Sequence, residues 1–257
     1  MNSLHIDVRG TGAIPLVMIH GWAMHGGVFA PLIERLESTC TMYVVDLPGH
    51  GYSRDSTVPL QLQPCIDAIA AQTPPAFWLG WSLGGLIALA AAYKPPAQVE
   101  GVIMLCATPR FLRNDTWPFG NDPALLSQLA TDLDQDFRGT LERFIALEAM
   151  GSEDPRSEAR RIRDEVFSRG EPDPRVLQEG LALLESTDLR NEWAAMGQSS
   201  LWIAGNRDRL VHPRAMENAA RTCRGNFVNI AHAGHAPFIG HVEPVADALT
   251  SFFGEHA

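Results

Sequence analysis

Ser82 stands between two glycines in the stretch Gly80-Trp81-Ser82-Leu83-Gly84, with an apolar run from Ala76 to Leu79 before it and small helix-forming residues from Leu86 to Ala92 after it. A G-x-S-x-G turn between a strand and a helix is a nucleophile elbow. The turn is too tight for side chains at its glycines. It pushes the serine hydroxyl above the sheet, beside a helix N-terminus whose free N–H groups can hold a negative oxygen. Such a hydroxyl is suited to attack on a carbonyl carbon.

An elbow serine needs an acid and then a histidine further along the chain, each on a loop after a later strand. Leu201 to Gly205 reads as a buried strand, and Asn206-Arg207-Asp208 follows its C-terminal end, which makes Asp208 the candidate acid. Asn226 to Ile230 reads as the last strand, and the loop after it carries His232 and His235. His235 is the better base. It follows Gly234, sits deeper in the loop and precedes a C-terminal helix predicted from Pro244 to Phe253. A fourth component lies after the strand Ile14 to Ile19, where His20-Gly21-Trp22 lets the backbone pass close to the serine. The N–H groups of Trp22 and Leu83 are the candidate oxyanion hole, and one such donor contributes roughly 3–4 kcal/mol of transition-state stabilisation.

The elements that must position these residues follow from hydrophobic periodicity. Up to about Pro109, strand-like runs (Leu16 to Ile19, Thr41 to Val45, Phe77 to Leu79, Val102 to Cys106) alternate with helical patterns (Val28 to Leu36, Leu86 to Tyr93), which predicts a parallel α/β sheet. From Arg110 to Thr187 strand signals vanish. Amphipathic helices are predicted at Leu125 to Leu133, Thr140 to Met150, Ser157 to Phe167 and Arg175 to Leu184. The organisation expected is a core of residues 1–109 and 188–257, with a helical lid of residues 110–187 inserted in it. A lid over the elbow would wall off a pocket and limit which substrates reach Ser82.

Bulk properties narrow the function classes. At 257 residues the chain can bury a sizeable core without disulfide or metal. Its four cysteines (Cys40, Cys65, Cys106, Cys223) show no C-x-x-C spacing, and Cys106 falls in an apolar run, so a reducing cytoplasm is the expected compartment. No apolar stretch reaches membrane-spanning length and no signal-peptide pattern opens the chain. A formal net charge of −10 argues against nucleic acid as a partner. Lys94 is the only lysine. Gly10-Thr11-Gly12 lacks a third glycine and precedes a strand, so it reads as a turn and no nucleotide cofactor is expected. His232, His235 and His241 lack a supporting carboxylate or cysteine pattern, so no metal is expected. Asp46 precedes the nucleophile and reads as structural, and Ser53 lacks elbow glycines and reads as a turn residue.

Taken together, His20-Gly21-Trp22, Val45 to Ser53, Trp78 to Gly85, Arg143 to Leu147 and His235 to Ile239 resemble the α/β-hydrolases, and within them the pimeloyl-acyl-carrier-protein methyl ester esterases of biotin synthesis. The resemblance implies a cofactor-free serine carboxylesterase, expected to be a monomer, acting on a small or carrier-bound ester. It places Trp22, Trp81, Phe144, Leu147 and position 148 around the acyl chain. At the last of these a neutral amide is expected, and this chain has Glu148.

Arg156, Arg160 and Arg163 share one helical face, with Arg143 on the preceding helix. The resemblance turns that face into a candidate dock for an acidic carrier protein. Ordinary surface pairs, Arg160 with Asp164 and Arg161 with Glu165, explain the same spacing. Other chemistries share the triad: general short-chain esterases, carbon–carbon bond hydrolases and perhydrolases. Dehalogenases and epoxide hydrolases need Asp at position 82. A ligand receptor that keeps the fold without turnover is the alternative outside enzymes.

Overall fold

The computed structural model describes residues 3–93, 98–194 and 197–256; Lys94 lies outside them. Seven strands, β1 (Ile6–Arg9), β2 (Ile14–Ile19), β3 (Cys40–Val45), β4 (Ala76–Trp81), β5 (Val99–Leu105), β6 (Ser199–Gly205) and β7 (Asn226–Ile230), form one sheet in the order β1-β3-β2-β4-β5-β6-β7. Only β1 runs antiparallel to its neighbour. After β2 the chain builds outwards to β3, and β4 then returns to the other side of β2. That reversal is a topological switch point, where the loops at the carboxyl ends of neighbouring strands diverge and leave a crevice. Ile19 and Gly80 are register partners there, so His20-Gly21-Trp22 and Ser82 leave adjacent strands at the same edge.

The sheet is buried on both faces, as its near-continuous apolar strands require. Helices α1 (Ala30–Leu36), α10 (Pro237–Gly240) and α11 (Val242–His256) cover one face, through Leu32, Leu36, Phe238, Leu249 and Phe252. The other face packs against α2 (Leu62–Ala70), α3 (Leu83–Ala91) and α9 (Pro213–Cys223), through Cys65, Ile66, Leu86, Ile87, Met216 and Ala219. The predicted helix from Val28 to Leu36 is in fact a 3-10 turn, Gly26–Phe29, followed by α1, because Pro31 near the start of α1 has no N–H to continue an earlier helix.

Between β5 and β6 lie α4 (Pro123–Gln135), α5 (Phe137–Glu148), α6 (Pro155–Val166), α7 (Pro174–Ser186) and the short α8 (Arg190–Ala194). Their starts are written in the sequence. Asp122-Pro123, Asp154-Pro155 and Asp173-Pro174 each place a capping carboxylate before a proline whose missing N–H costs nothing at the first helical position. Asp136 caps α5 in the same way. No helix among the described residues is long and apolar enough to cross a membrane.

Candidate active site

The elbow is built as its glycines demand. A β-carbon at Gly80 would lie 2.2 Å from the Gly84 carbonyl oxygen, and one at Gly84 2.3 Å from that of Ile19. Ser82 itself takes φ 53° and ψ −117°, a conformation that an L-residue holds only under strain supplied by its surroundings. Its N–H donates to the Leu105 carbonyl at 3.1 Å, and its carbonyl accepts from Gly85 at 2.9 Å, so both sides of the turn are pinned.

His235 and Asp208 meet where predicted. Nδ1 of His235 lies 2.8 Å from Oδ2 of Asp208, and both side chains are buried. The other Asp208 oxygen accepts the backbone N–H groups of Leu210 at 2.8 Å and Val211 at 3.0 Å. Those bonds fix the carboxylate plane, and the carboxylate then fixes the proton on Nδ1 and leaves the lone pair on Nε2. Nε2 is buried without a hydrogen-bond partner among the described residues. Resting active-site hydrogen bonds are commonly looser than those of the substrate complex, so an open Nε2 is what a base awaiting its proton presents. His232 is used otherwise: its Nδ1 accepts from Arg207 at 2.8 Å on the surface.

The candidate oxyanion donors are the N–H groups of Trp22 and Leu83. Leu83 opens α3, so its N–H has no partner one turn back. Neither it nor the Trp22 N–H donates to another backbone carbonyl in a turn or loop among the described residues. Gly21 lets the two segments touch, since a β-carbon there would stand 3.2 Å from Ser82 Cβ. His20, which the sequence offered only as part of a motif, braces this loop. Its Nδ1 lies 2.8 Å from the Gly21 carbonyl and its Nε2 accepts the Leu47 N–H at 2.9 Å. Burial holds its pKa well below the ordinary histidine value, so the neutral ring that both bonds require is the stable one.

The proposed acyl-pocket residues do not share one lining. Phe144 and Leu147 line an apolar cavity of about 190 Å³ between α4 and α5, together with Leu126, Leu129, Leu210 and Arg143. Trp22 packs edge-on against Phe144 at 4.7 Å and donates its indole N–H to Leu177 of α7, which couples the oxyanion loop to the inserted helices. Trp81 is fully buried and spends its indole N–H on the His235 carbonyl at 2.9 Å, so it supports the base loop. Glu148 is buried beside the dyad, where its backbone carbonyl accepts the His235 N–H at 3.2 Å.

Sequence reasoning missed Cys106. Its apolar run predicts the end of a core strand, yet β5 stops at Leu105 and Cys106 takes φ 44° in the turn beyond. That turn brings its sulfur within 4.8 Å of ligand-type atoms of Asp208 and His235. Burial and the Asp208 charge hold it as the thiol, whereas a metal ligand must be a thiolate. Asp46 is structural, as read: it accepts the N–H groups of Gly26 and Tyr52 and pairs with Arg169, which follows α6, at 3.1 Å. Ser53 ends the 3-10 turn Gly51–Ser53, and its Oγ accepts the His5 N–H, a long-range tie to the N-terminal segment. Of the four arginines on the candidate docking face, Arg143 pairs with Asp136 at 3.3 Å and Arg163 with Asp164 at 3.1 Å. Arg156 and Arg160 are exposed. The expected pairs of Arg160 with Asp164 and Arg161 with Glu165 do not form among the described residues, and Arg161 reaches the Ile239 carbonyl instead.

A sheet with a strained serine after its central strand, an Asp-His pair after the last two strands and a helical insertion between them defines a class. A model described as alpha/beta hydrolase fold matches residues 14–242, and the chain belongs to that family. Within it, the chain is a member of the pimeloyl-acyl-carrier-protein methyl ester esterases. It is 55% identical over 250 residues to the enzyme of that name from Stenotrophomonas maltophilia strain R551-3, covering 97% of this chain and 96% of the relative. It is 53% identical to that from Xanthomonas oryzae pv. oryzae strain MAFF 311018, covering 97% and 98%. Among solved structures, an esterase from Exiguobacterium antarcticum superposes with a TM-score of 0.82 at 21% identity, covering 98% of this chain and 99% of that one. A bromoperoxidase from Bacillus anthracis gives 0.86 at 18%, covering 98% and 95%. Similarity of that degree speaks to the fold.

Proposed function

We propose that the chain is a serine carboxylesterase that hydrolyses the methyl ester of a pimeloyl chain carried on acyl carrier protein, as a monomer in the cytoplasm, within biotin synthesis. The observation that carries the chemistry is the 2.8 Å contact between Asp208 and His235, which leaves Nε2 without a partner among the described residues, together with the elbow conformation of Ser82. The substrate comes from the relatives' name at more than half identity.

His235 Nε2 takes the Ser82 proton as Oγ attacks the ester carbonyl, and Asp208 stabilises the imidazolium that forms. The Trp22 and Leu83 N–H groups hold the oxyanion. The imidazolium then protonates the leaving methoxide, methanol departs, and a water deprotonated by His235 releases the acid from Ser82. The acyl chain extends along Phe144 and Leu147, with Trp22 and Glu148 bounding its inner end. Residues 110–187 serve as a lid. Ser82 and His235 are both buried, and the Trp22 bond to Leu177 ties the oxyanion loop to the inserted helices. The carrier docks on the face of Arg143, Arg156, Arg160 and Arg163. Arg156 and Arg160 carry most of the attraction there, since Arg143 and Arg163 already have acidic partners.

The test is labelling by a fluorophosphonate. The adduct is expected on Ser82, and a label elsewhere removes the assignment.

A further inference from the structure

Glu148 ends α5 and is 1% exposed, yet its Oε2 is sealed from solvent without a hydrogen-bond partner among the described residues. A buried polar atom left unpaired in a native fold calls for an explanation, and one beside a catalytic pair points to a bound molecule. Its place is fixed by its own backbone. The Glu148 carbonyl accepts the His235 N–H at 3.2 Å, while Phe144 and Leu147 of the same helix line the apolar cavity.

The charged groups acting on the Glu148 carboxyl from neighbouring elements are both acidic: Asp208 from the loop after β6 and Glu158 from α6. A carboxylate here would lose its hydration, gain no donor and face Asp208 across a dry interior. Burial first, and then these two neighbours, hold the proton on well above the usual carboxylate range. In that form the side chain offers one O–H and one carbonyl oxygen, the hydrogen-bonding pattern of an uncharged polar group.

Resting on the esterase reading above, we infer that Glu148 is a positioning residue that works as the neutral acid, holding the end of α5, with its cavity-lining Phe144 and Leu147, against the His235 loop beside Asp208. The ionised form finds no donor for its Oε2 among the described residues and must draw in water. Water drawn in at the end of α5 shifts Phe144 and Leu147 from the positions in which they line the cavity. Loss of the proton therefore weakens substrate binding, while the attack of Ser82 on a bound ester is spared.

The experiment measures kcat and KM for a short-chain nitrophenyl ester from neutral to alkaline pH, in the wild type and in Glu148→Gln. In the wild type KM rises by about tenfold per pH unit once Glu148 titrates, with kcat level. In Glu148→Gln that rise is gone. The same rise in the variant shows that another group titrates and overturns the inference, as does a fall confined to kcat. Difference infrared spectroscopy gives an independent reading that needs no turnover. A protonated-carboxyl stretch is expected in the wild type at neutral pH and lost in Glu148→Gln, and its absence from the wild type also overturns the inference. If ester hydrolysis does not depend on Ser82, the esterase reading fails instead, and the infrared result still decides the state of Glu148.

Discussion

The indole N–H of Trp81 donates to the backbone carbonyl of His235 across 2.9 Å, joining the residue before Ser82 to the proposed base. The bond lies in a fully buried cluster with Phe29 and Phe238, so the nucleophile and base loops are held as one body. Trp81→Phe keeps most of that packing and removes the donor. Leaving a buried carbonyl unpaired costs about 1–3 kcal/mol. We expect a lower melting temperature together with a kcat reduced by about tenfold, checked by calorimetry and steady-state kinetics. A change in melting temperature alone would contradict the positioning role.

Asp208 and Asp46 are both buried acids at strand ends, and they separate cleanly. Asp208→Asn favours the wrong His235 tautomer and is expected to lower kcat by about 10⁴-fold with little change in KM. Asp46→Ala strips Arg169 of its buried partner and leaves two N–H groups unpaired, which is expected to cost about 3 kcal/mol of stability. Denaturant unfolding and kinetics on both variants check this, and the reverse pattern would mean that the acid was misassigned.

Burial pushes the Glu158 carboxyl up to about 7 from an ordinary value of 4.5. A raised folded pKa favours the folded state fully below the unfolded value and loses that contribution as pH rises through the folded value. Glu158→Gln removes the group. Relative to the wild type its melting temperature should therefore improve steadily across the window from 4.5 to about 7, and hold that gain at higher pH. A difference that does not vary with pH would contradict the assignment.

Arg156→Ala with Arg160→Ala is expected to raise KM for a carrier-bound ester and flatten its salt dependence, while a small free ester is barely affected. Arg143→Ala with Arg163→Ala should do less, because those guanidinium groups already face Asp136 and Asp164. Equal losses on both substrates would show that the arginines hold the inserted helices together.

The residues proposed to react stand out in the sequence because each follows the end of a buried apolar strand, where the hydrophobic pattern and the demands of the elbow coincide. The helices of the insertion were readable from their amphipathic periodicity, and the Asp-Pro caps of α4, α6 and α7 set their starts slightly earlier than that pattern does. β1 was not legible: Ile6 to Arg9 is four residues long, its Val8 is 59% exposed, and it is specified by pairing with β3 more than by its own pattern. The Cys106 turn, the Arg169 anchor on Asp46 and the partnerless carboxyl of Glu148 were hidden because each depends on segments brought together from distant parts of the chain. No spacing rule reports such encounters.

The central claim is that Ser82, served by His235 and Asp208, removes the methyl group from a carrier-bound pimeloyl ester. The most direct measurement incubates the purified protein with that carrier-bound methyl ester and follows the intact carrier by mass spectrometry, beside Ser82→Ala. We predict loss of one methylene unit from the carrier, catalytic in enzyme and absent with Ser82→Ala. A carrier mass unchanged by the wild type, or changed equally by both proteins, would contradict the account.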